Sequence, residues 1–384
     1  MKEIIMDERW HKECAYAFFW KNVSGIGDKT VEKLYEQFRG YENMYRWGEQ
    51  FELSEKQKTA LKAQKEKWNI KKEYQKLLYN KIWCIPKHLA GYPDKLKQID
   101  APPSVLFVKG KLPDPSAAAV AVVGARNCSP YGRSAAHKLG RELAANGIQV
   151  ISGLARGVDG ISQRSAMENG GASFGILGCG VDICYPEENL DVYKKLSGGE
   201  NGGGIISEFN PATEPLANHF PMRNRIISGL SDLLVVVEAK EKSGTFITVS
   251  SALEQGKDVY VVPGRLGDSL SYGCNRLIAQ GAGIIYSTDE FIKEILERNS
   301  FIKGKCLTIQ KEKNVMPKEN PEKGSLEENI LSLLDIQYCS LEDVLEKVGS
   351  KVKIQEILAA LATLECIGLV ESEGSFYRKK ENII

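Results

Sequence analysis

From Ala117 onward the chain alternates short, wholly apolar runs with longer amphipathic ones. AAAVAVVGA, from Ala117 to Ala125, has no polar side chain, the pattern of a strand buried on both faces. YGRSAAHKLGRELAANG repeats apolar residues at helical spacing, IQVISGLA reads as a strand, and GVDGISQRSAMENG as a helix. The series continues through the strand ASFGILGCG, a helix near NLDVYKKL, the strand GIISEF, a helix at RNRIISGL, the strand LLVVVEA and a helix from Thr245 to Gln255. The strand DVYVVP, the helix NRLIAQG and the strand GIIYS close it. Strict alternation over about 170 residues predicts an α/β fold with a Rossmann-like, doubly wound, mostly parallel sheet. Such sheets take ligands at the carboxyl ends of their strands.

The ends of the chain follow other patterns. Within residues 1–80, YAFFWKNV, VEKLYEQF and LKAQKEKWNIKKEYQKLLY carry helical spacing without strand alternation. Gly25-Ile26-Gly27 separates the first two, and Asp28 is placed to cap the second helix. This order is that of a helix-hairpin-helix or SAM-like domain, whose hairpin amides face a phosphate. A plain tight turn explains the same residues equally well. Residues 81–300 read as the Rossmann-like domain, with 81–116 as its lead-in. KEKNVMPKENPEKG, rich in Lys, Glu and Pro, predicts a linker over 301–324. ENILSLLD, LEDVLEKVG and IQEILAALATL read as three short helices, and LVESEGSFYRK as two strands about a Glu-Gly turn. Together they predict a winged helix over 325–384. Its recognition helix carries Lys351 and Lys353 but few groups able to read base edges, which favours a protein or backbone contact.

Composition narrows the function. The 384 residues include 51 basic and 50 acidic ones, so bulk charge advertises no polyanion and any nucleic-acid site must come from local placement. No run of eighteen apolar residues and no basic-then-apolar leader is present, so neither a membrane span nor a secretory signal is expected. Nine cysteines are scattered singly, the closest pair being Cys179 and Cys184, which predicts reduced thiols and a cytoplasmic protein. His11, His88, His137 and His219 show no ligand spacing, so no metal is expected.

The predicted strand ends concentrate glycine and charge. The first ends in Gly124-Ala125-Arg126-Asn127, and the second in Ser152-Gly153-Leu154-Ala155-Arg156-Gly157, then Asp159. The third ends in Gly178-Cys179-Gly180, and the fifth is followed by Lys242-Ser243-Gly244-Thr245. Glycines allow close backbone approach, and helix N-termini aim unpaired amides at an anion. Arg126, Arg156, Arg223, Arg225 and Lys242 all fall at or beside this edge.

Three anions compete for it. A dinucleotide fits poorly: GARNCSPYG is not G-x-G-x-x-G, and no ribose-binding acid ends the second strand. A nucleotide-hydrolysing enzyme fits the Lys242–Thr245 turn, which resembles that of Rossmann-like phosphoribohydrolases. Those carry a catalytic Glu three residues after the Gly-Thr, where this chain has Thr248. No catalytic residue and no cofactor are therefore expected. A single strand of nucleic acid needs a basic groove and a stacking face. Arg223 and Arg225 supply the charge, and Phe220 the face. The blander reading is that both arginines cap carbonyls and pair with Asp232 or Glu238, with Phe220 as a core staple.

Four blocks, VVGARNCSPYG, SGLARGVDGISQRSA, HFPMRNRIISGLSD and KSGTFITVSSALEQGKDVYVVPG, together resemble the DNA-processing protein A (DprA/Smf) family. YPDKLKQIDAPPSVLFVKG resembles the family's lead-in, and Gly273 to Ile278 a later block. The resemblance implies a non-enzymatic protein that binds single-stranded DNA with little sequence preference, protects incoming strands during natural transformation and loads the RecA recombinase. It also implies a homodimer through the Rossmann-like domain. Onto the family's DNA contacts it maps Arg126, then Phe220, Arg223, Asn224 and Arg225, then Lys242, Ser243, Gly244 and Thr245. Gly153 and Arg156 in the second block are further contacts. Glu187, Glu188, Glu238 and Glu241 oppose a phosphate path, so the strand is expected on the side of Arg126, Arg223 and Arg225. Two rivals remain at this point: a nucleotide hydrolase or sensor, and a winged-helix regulator of duplex DNA.

Overall fold

The computed structural model describes residues 7–303, 325–334, 339–348, 352, 354–366, 369–373 and 376–379. The chain divides into two units, Met1–Lys305 and Cys306–Ile384. Among the described residues no helix is long and apolar enough to cross a membrane.

The first unit opens with the helices α1 (Glu8–Lys21), α2 (Asp28–Phe38), α3 (Tyr41–Trp47), α4 (Glu55–Lys67) and α5 (Ile70–Tyr79). Asp7 caps α1 by accepting the Trp10 amide. Gly27, not Asp28, takes the N-cap position of α2. Asp28 is instead the first helical residue, and its carboxylate is held by Lys21 at 2.9 Å and by the Ser104 hydroxyl at 2.5 Å. The long helical run ending at Tyr79 breaks at Trp68–Asn69, because the Asn69 side chain accepts the Lys72 amide and starts a new helix.

The sheet follows, with β1 (Trp83–Pro86), α6 (Asp94–Lys97), β2 (Val105–Gly110), β3 (Ala119–Val123), α7 (Pro130–Ala145), β4 (Gln149–Ser152), α8 (Val158–Glu168), β5 (Ser173–Ile176), α9 (Leu190–Gly198) and β6 (Gly204–Ser207). It continues with α10 (His219–Leu230), β7 (Leu233–Val236), α11 (Thr245–Glu254), β8 (Asp258–Val261), α12 (Tyr272–Ala279), β9 (Gly283–Ile284) and α13 (Thr288–Lys303). The strand order is β1-β2-β6-β5-β4-β3-β7-β8-β9. Strands β3 to β9 pair in parallel, as the sequence predicts, while β1 and β2 add an antiparallel edge. Those two strands lie in the lead-in, whose short apolar runs carry no βα rhythm.

Period-two alternation sends side chains to both faces. Val120 and Val122 join α7, α8 and α13 in one core, while Ala121 and Val123 join α10, α11 and α12 in the other. Full burial of each valine contributes roughly 1.5–3 kcal/mol. A third core lies between α1 to α5 and the β2 side of the sheet, with Phe18 meeting Phe107 edge-to-face at 5.7 Å.

In the second unit, α14 (Leu326–Leu333), α15 (Leu341–Val348) and α16 (Ile354–Cys366) enclose a core of Ile330, Val344, Ile357 and Leu361. β11 (Val370–Glu373) pairs antiparallel with β12 (Phe376–Lys379), as expected. A further short strand, β10 (Cys339–Ser340), completes a sheet of order β10-β12-β11. Lys351, Lys353 and residues 304–324 of the expected linker lie outside the described residues.

Candidate nucleic-acid interface

β3 and β7 lie side by side, in a register that pairs Val123 with Val236 and so brings their carboxyl ends level. The chain leaves β3 for α7 on one face and β7 for α11 on the other. That reversal opens a crevice, here a cleft of about 690 Å³.

Two helix N-termini meet this edge, and they differ. At α7, Ser129 is the cap, and its amide and hydroxyl both donate to the Glu238 carboxylate, at 2.9 and 2.5 Å. Gly132 makes room, since a Cβ there would collide with Glu238. The positive end of α7 thus already holds an anion from within the chain. α11 has Gly244 at its N-cap, with no side-chain cap and no acidic residue in its first turn. Ser243 Oγ accepts the Thr245 amide at 3.2 Å, but the amides of Ser243 and Gly244 have no acceptor among the described residues. The dipole of α11 is left open to an external anion.

α10 begins at His219, four residues before the predicted RNRIISGL. Pro221 is tolerated because the first turn donates no intrahelical bonds. The earlier start sets the helical phase. Phe220, Arg223 and Asn224, at i, i+3 and i+4, share one face and line the cleft. Arg225, two residues past Arg223, is turned away.

Arg223 is only 4% exposed. Its Nη1 donates to the Gly153 carbonyl at 2.8 Å and to the Ile176 carbonyl, and its Nε donates to Asn224 Oδ1 at 3.2 Å. It therefore ties together the ends of β4 and β5. A Cβ on Gly153 would sit 2.7 Å from Arg223 Nη2 and 2.7 Å from Asp159 Oδ2, so glycine is what admits the guanidinium. Burial pulls the Arg223 pKa down to about 10, against the attraction of Asp159, and the group stays cationic at neutral pH. Burial pushes the Asp159 pKa up, against the same attraction and the Gly153 amide it accepts at 3.0 Å.

Arg225 grips Glu208 with both terminal nitrogens, at 2.6 and 2.7 Å, and donates from Nε to the Ala101 carbonyl at 2.9 Å. Carbonyl capping by both arginines, the blander expectation, is thus present. Asp232 and Glu238 are not their partners: Asp232 binds Lys95 at 2.7 Å, and Glu238 belongs to Ser129.

The loop after β4 is held shut. Leu154 has a left-handed backbone, φ 53°, at a non-glycine residue. Asn189 Nδ2 fixes it by donating to the Leu154 and Ala155 carbonyls at 3.0 and 2.9 Å. Gly153 is buried inside this loop, and Arg156 is exposed beside Glu188 at 3.5 Å.

Arg126, Phe220, Arg223, Asn224 and Lys242 to Thr245 therefore line the cleft, whereas Gly153, Arg156 and Arg225 do not. Lys240 and Tyr185 line the cleft as well. Lys240 is exposed on the same loop as Lys242. The Tyr185 ring lies 5.5 Å from that of Phe220, tilted by 37°. The signal for Lys240 was its spacing of two from Lys242 along an extended loop; Tyr185 gave none beyond its aromatic type. Arg126, Lys240 and Lys242 are all exposed, with no carboxylate partner among the described residues. The Arg126 guanidinium stands 5.7 Å from the Phe220 ring centre. Among the described residues no group of three His, Cys, Asp or Glu is placed to hold a metal.

Residues 83–296 match the defining pattern of the DNA recombination-mediator protein A family. The chain belongs to that family. It is 42% identical over 219 residues to DNA processing protein DprA of Bacillus subtilis, covering 57% of this chain and 73% of that one. The crystal structure of DNA processing protein A from Streptococcus pneumoniae superposes with a TM-score of 0.63 at 30% identity, over 73% of this chain and 97% of that one. A DNA processing protein A from Helicobacter pylori, whose structure was described for its single-stranded DNA binding mode, gives 0.50 at 31% identity, over 56% and 96%. The family match runs from β1 into α13 and so contains the whole cleft.

Proposed function

We propose that this chain binds single-stranded DNA along the carboxyl edge of its sheet and acts as a recombination mediator. The observation that carries this reading is the convergence of Arg126, Lys240 and Lys242, none held by a carboxylate among the described residues, on the open N-terminus of α11. Phosphates follow these cations, and a base rests on Phe220 and Tyr185. Most contacts are to charge and to a ring face, so sequence is largely ignored. Arg223 is a positioning residue that holds the strand ends in place. Thr248 stands where a phosphoribohydrolase needs its glutamate, which supports a role without catalysis.

The membership supports a mediator that protects incoming strands and loads RecA recombinase in the cytoplasm, as a homodimer through the Rossmann-like domain. The order α1, Gly25-Ile26-Gly27, α2 supports a SAM-like or helix-hairpin-helix role for residues 1–80. Three helices followed by an antiparallel hairpin support a winged helix for residues 325–384.

The test is binding of labelled oligo-dT and of a matched duplex across a salt series. Tight binding to the single strand, weakening linearly in log salt, is expected. Duplex preference, or no binding at low salt, overturns the reading.

A further inference from the structure

We propose that α5 makes a second stretch of contact with the strand held in the cleft, through the cationic face of Lys71, Lys72 and Lys76 and the ring of Tyr79. The proposal rests on the DNA-binding reading above and extends the strand's path beyond the cleft.

The segment from Lys67 to Lys81 holds five lysines and one acidic residue, Glu73, in a chain whose charges otherwise balance. Helical spacing sorts them. Tyr74 and Leu77 turn into the core shared with α1, and Lys71, Lys72, Gln75, Lys76 and Tyr79 are exposed on the other side. Lys72 and Lys76 stand at i and i+4, as do Lys71, Gln75 and Tyr79 in series, so each row repeats about every 6 Å along the helix. Glu73 is taken by Lys76 at 2.7 Å. Lys71 and Lys72 have no carboxylate partner among the described residues.

Like charges gathered this way repel one another, and a polyanion is what relieves them. Tyr79, 89% exposed, adds a ring face for a base, the pairing of cations and aromatics that single-strand grooves use. Apart from Tyr79 the exposed face of α5 is polar, so it lacks the apolar stripe with which a helix enters a lipid surface.

The start of α5 lies on the same edge of the sheet as the cleft. Trp68 meets Phe18 edge-to-face at 5.2 Å, and Phe18 in turn meets Phe107. Phe107 pairs with Ser207, the carboxyl end of β6. β6 is three strands from β3, a distance of about 14 Å, and the helices over the sheet add about 10 Å. A stacked strand advances about 3.4 Å per nucleotide, so roughly seven nucleotides bridge the two places. A strand long enough to hold both gains affinity because its second contact is intramolecular.

The experiment uses the full chain and two labelled oligo-dT probes. One, of about six nucleotides, is too short to reach from the cleft to α5, and the other, of about twenty, is long enough. Lys71→Ala/Lys72→Ala, at exposed positions, is expected to weaken the longer probe about tenfold at low salt and to flatten its log–log salt slope by about 1.4, leaving the shorter probe unchanged. Lys71→Arg/Lys72→Arg is expected to keep the parent's binding. Tyr79→Ala is expected to weaken the longer probe about fivefold or more. A double-alanine variant that binds the longer probe with the parent's affinity and slope overturns the proposal. So does an equal loss on both probes, which places the effect in the cleft. Loss of binding to phosphatidylglycerol vesicles, with both probes bound as before, also overturns it and assigns the face to a membrane. These three outcomes leave the DNA-binding reading intact. A parent chain that binds neither probe overturns that reading, and the proposal with it.

Discussion

Arg223 and Arg225 stand two residues apart on α10 and hold opposite sides of it: Arg223 binds the Gly153 and Ile176 carbonyls, and Arg225 binds Glu208. At about 100° per residue, two steps carry a side chain to roughly the opposite side of a helix. Both are structural cations. Replacing Arg223 with Ala leaves two carbonyls unpaired and Asp159 buried without its neighbouring positive charge. A loss of about 3–5 kcal/mol in urea unfolding is expected. Stability unchanged within error would show that Arg223 is free to leave its carbonyls for a phosphate.

The cations that bind DNA are predicted to be others. Arg126→Ala, Lys240→Ala and Lys242→Ala should each weaken oligo-dT binding whatever the sequence, and each should flatten the log–log salt slope by about 0.7. Arg225→Ala should leave the slope as it is. Anisotropy titrations at several salt concentrations measure both quantities.

The ring pair is separable from the charges. Phe220→Ala should cost roughly 1–3 kcal/mol of binding if a base stacks there. Tyr185→Ala should cost less alone. With rings 5.5 Å apart the two losses should not add, and a double-mutant cycle reads the coupling. Simple additivity would place the rings in separate contacts.

Acid stability carries a signature from the far side of the β4–α8 loop. Arg164 donates to both oxygens of Asp191, at 2.7 and 2.8 Å, and holds its pKa down to about 2. A lowered carboxyl pKa stabilises the fold above the unfolded value of about 4, and the benefit disappears as pH falls through the folded value. Asp191→Asn should therefore be less stable than the parent at pH 6 and equal to it near pH 2. A difference that persists at pH 2 would mean the pair stabilises by packing rather than charge.

The parallel sheet was legible because strands buried on both faces leave no polar positions, as in AAAVAVVGA, and because helices between them keep their own period. The cleft was legible as a set of residue types, since glycine and cations gather at strand ends. What failed was the helical phase at its entrance. RNRIISGL has the helical spacing and predicts a start at Arg223, because the proline before it masks the first turn. Once α10 starts at His219, Phe220, Arg223 and Asn224 fall on one face and Arg225 on another. Glu238 is held at the N-terminus of α7 by Ser129, a pairing across 109 positions of chain that local spacing cannot reveal.

The core shared by α1 to α5 with the sheet bears on how the chain can be divided. Phe107, Leu196 and Ile205 are fully buried, in the same apolar cluster as Trp20, Leu34 and Leu61. A chain begun at Lys81 would turn that cluster's sheet side to water, beside a β1 edge with no helix over it. Such a surface invites self-association. The opening helices thus act as a retaining wall for the sheet.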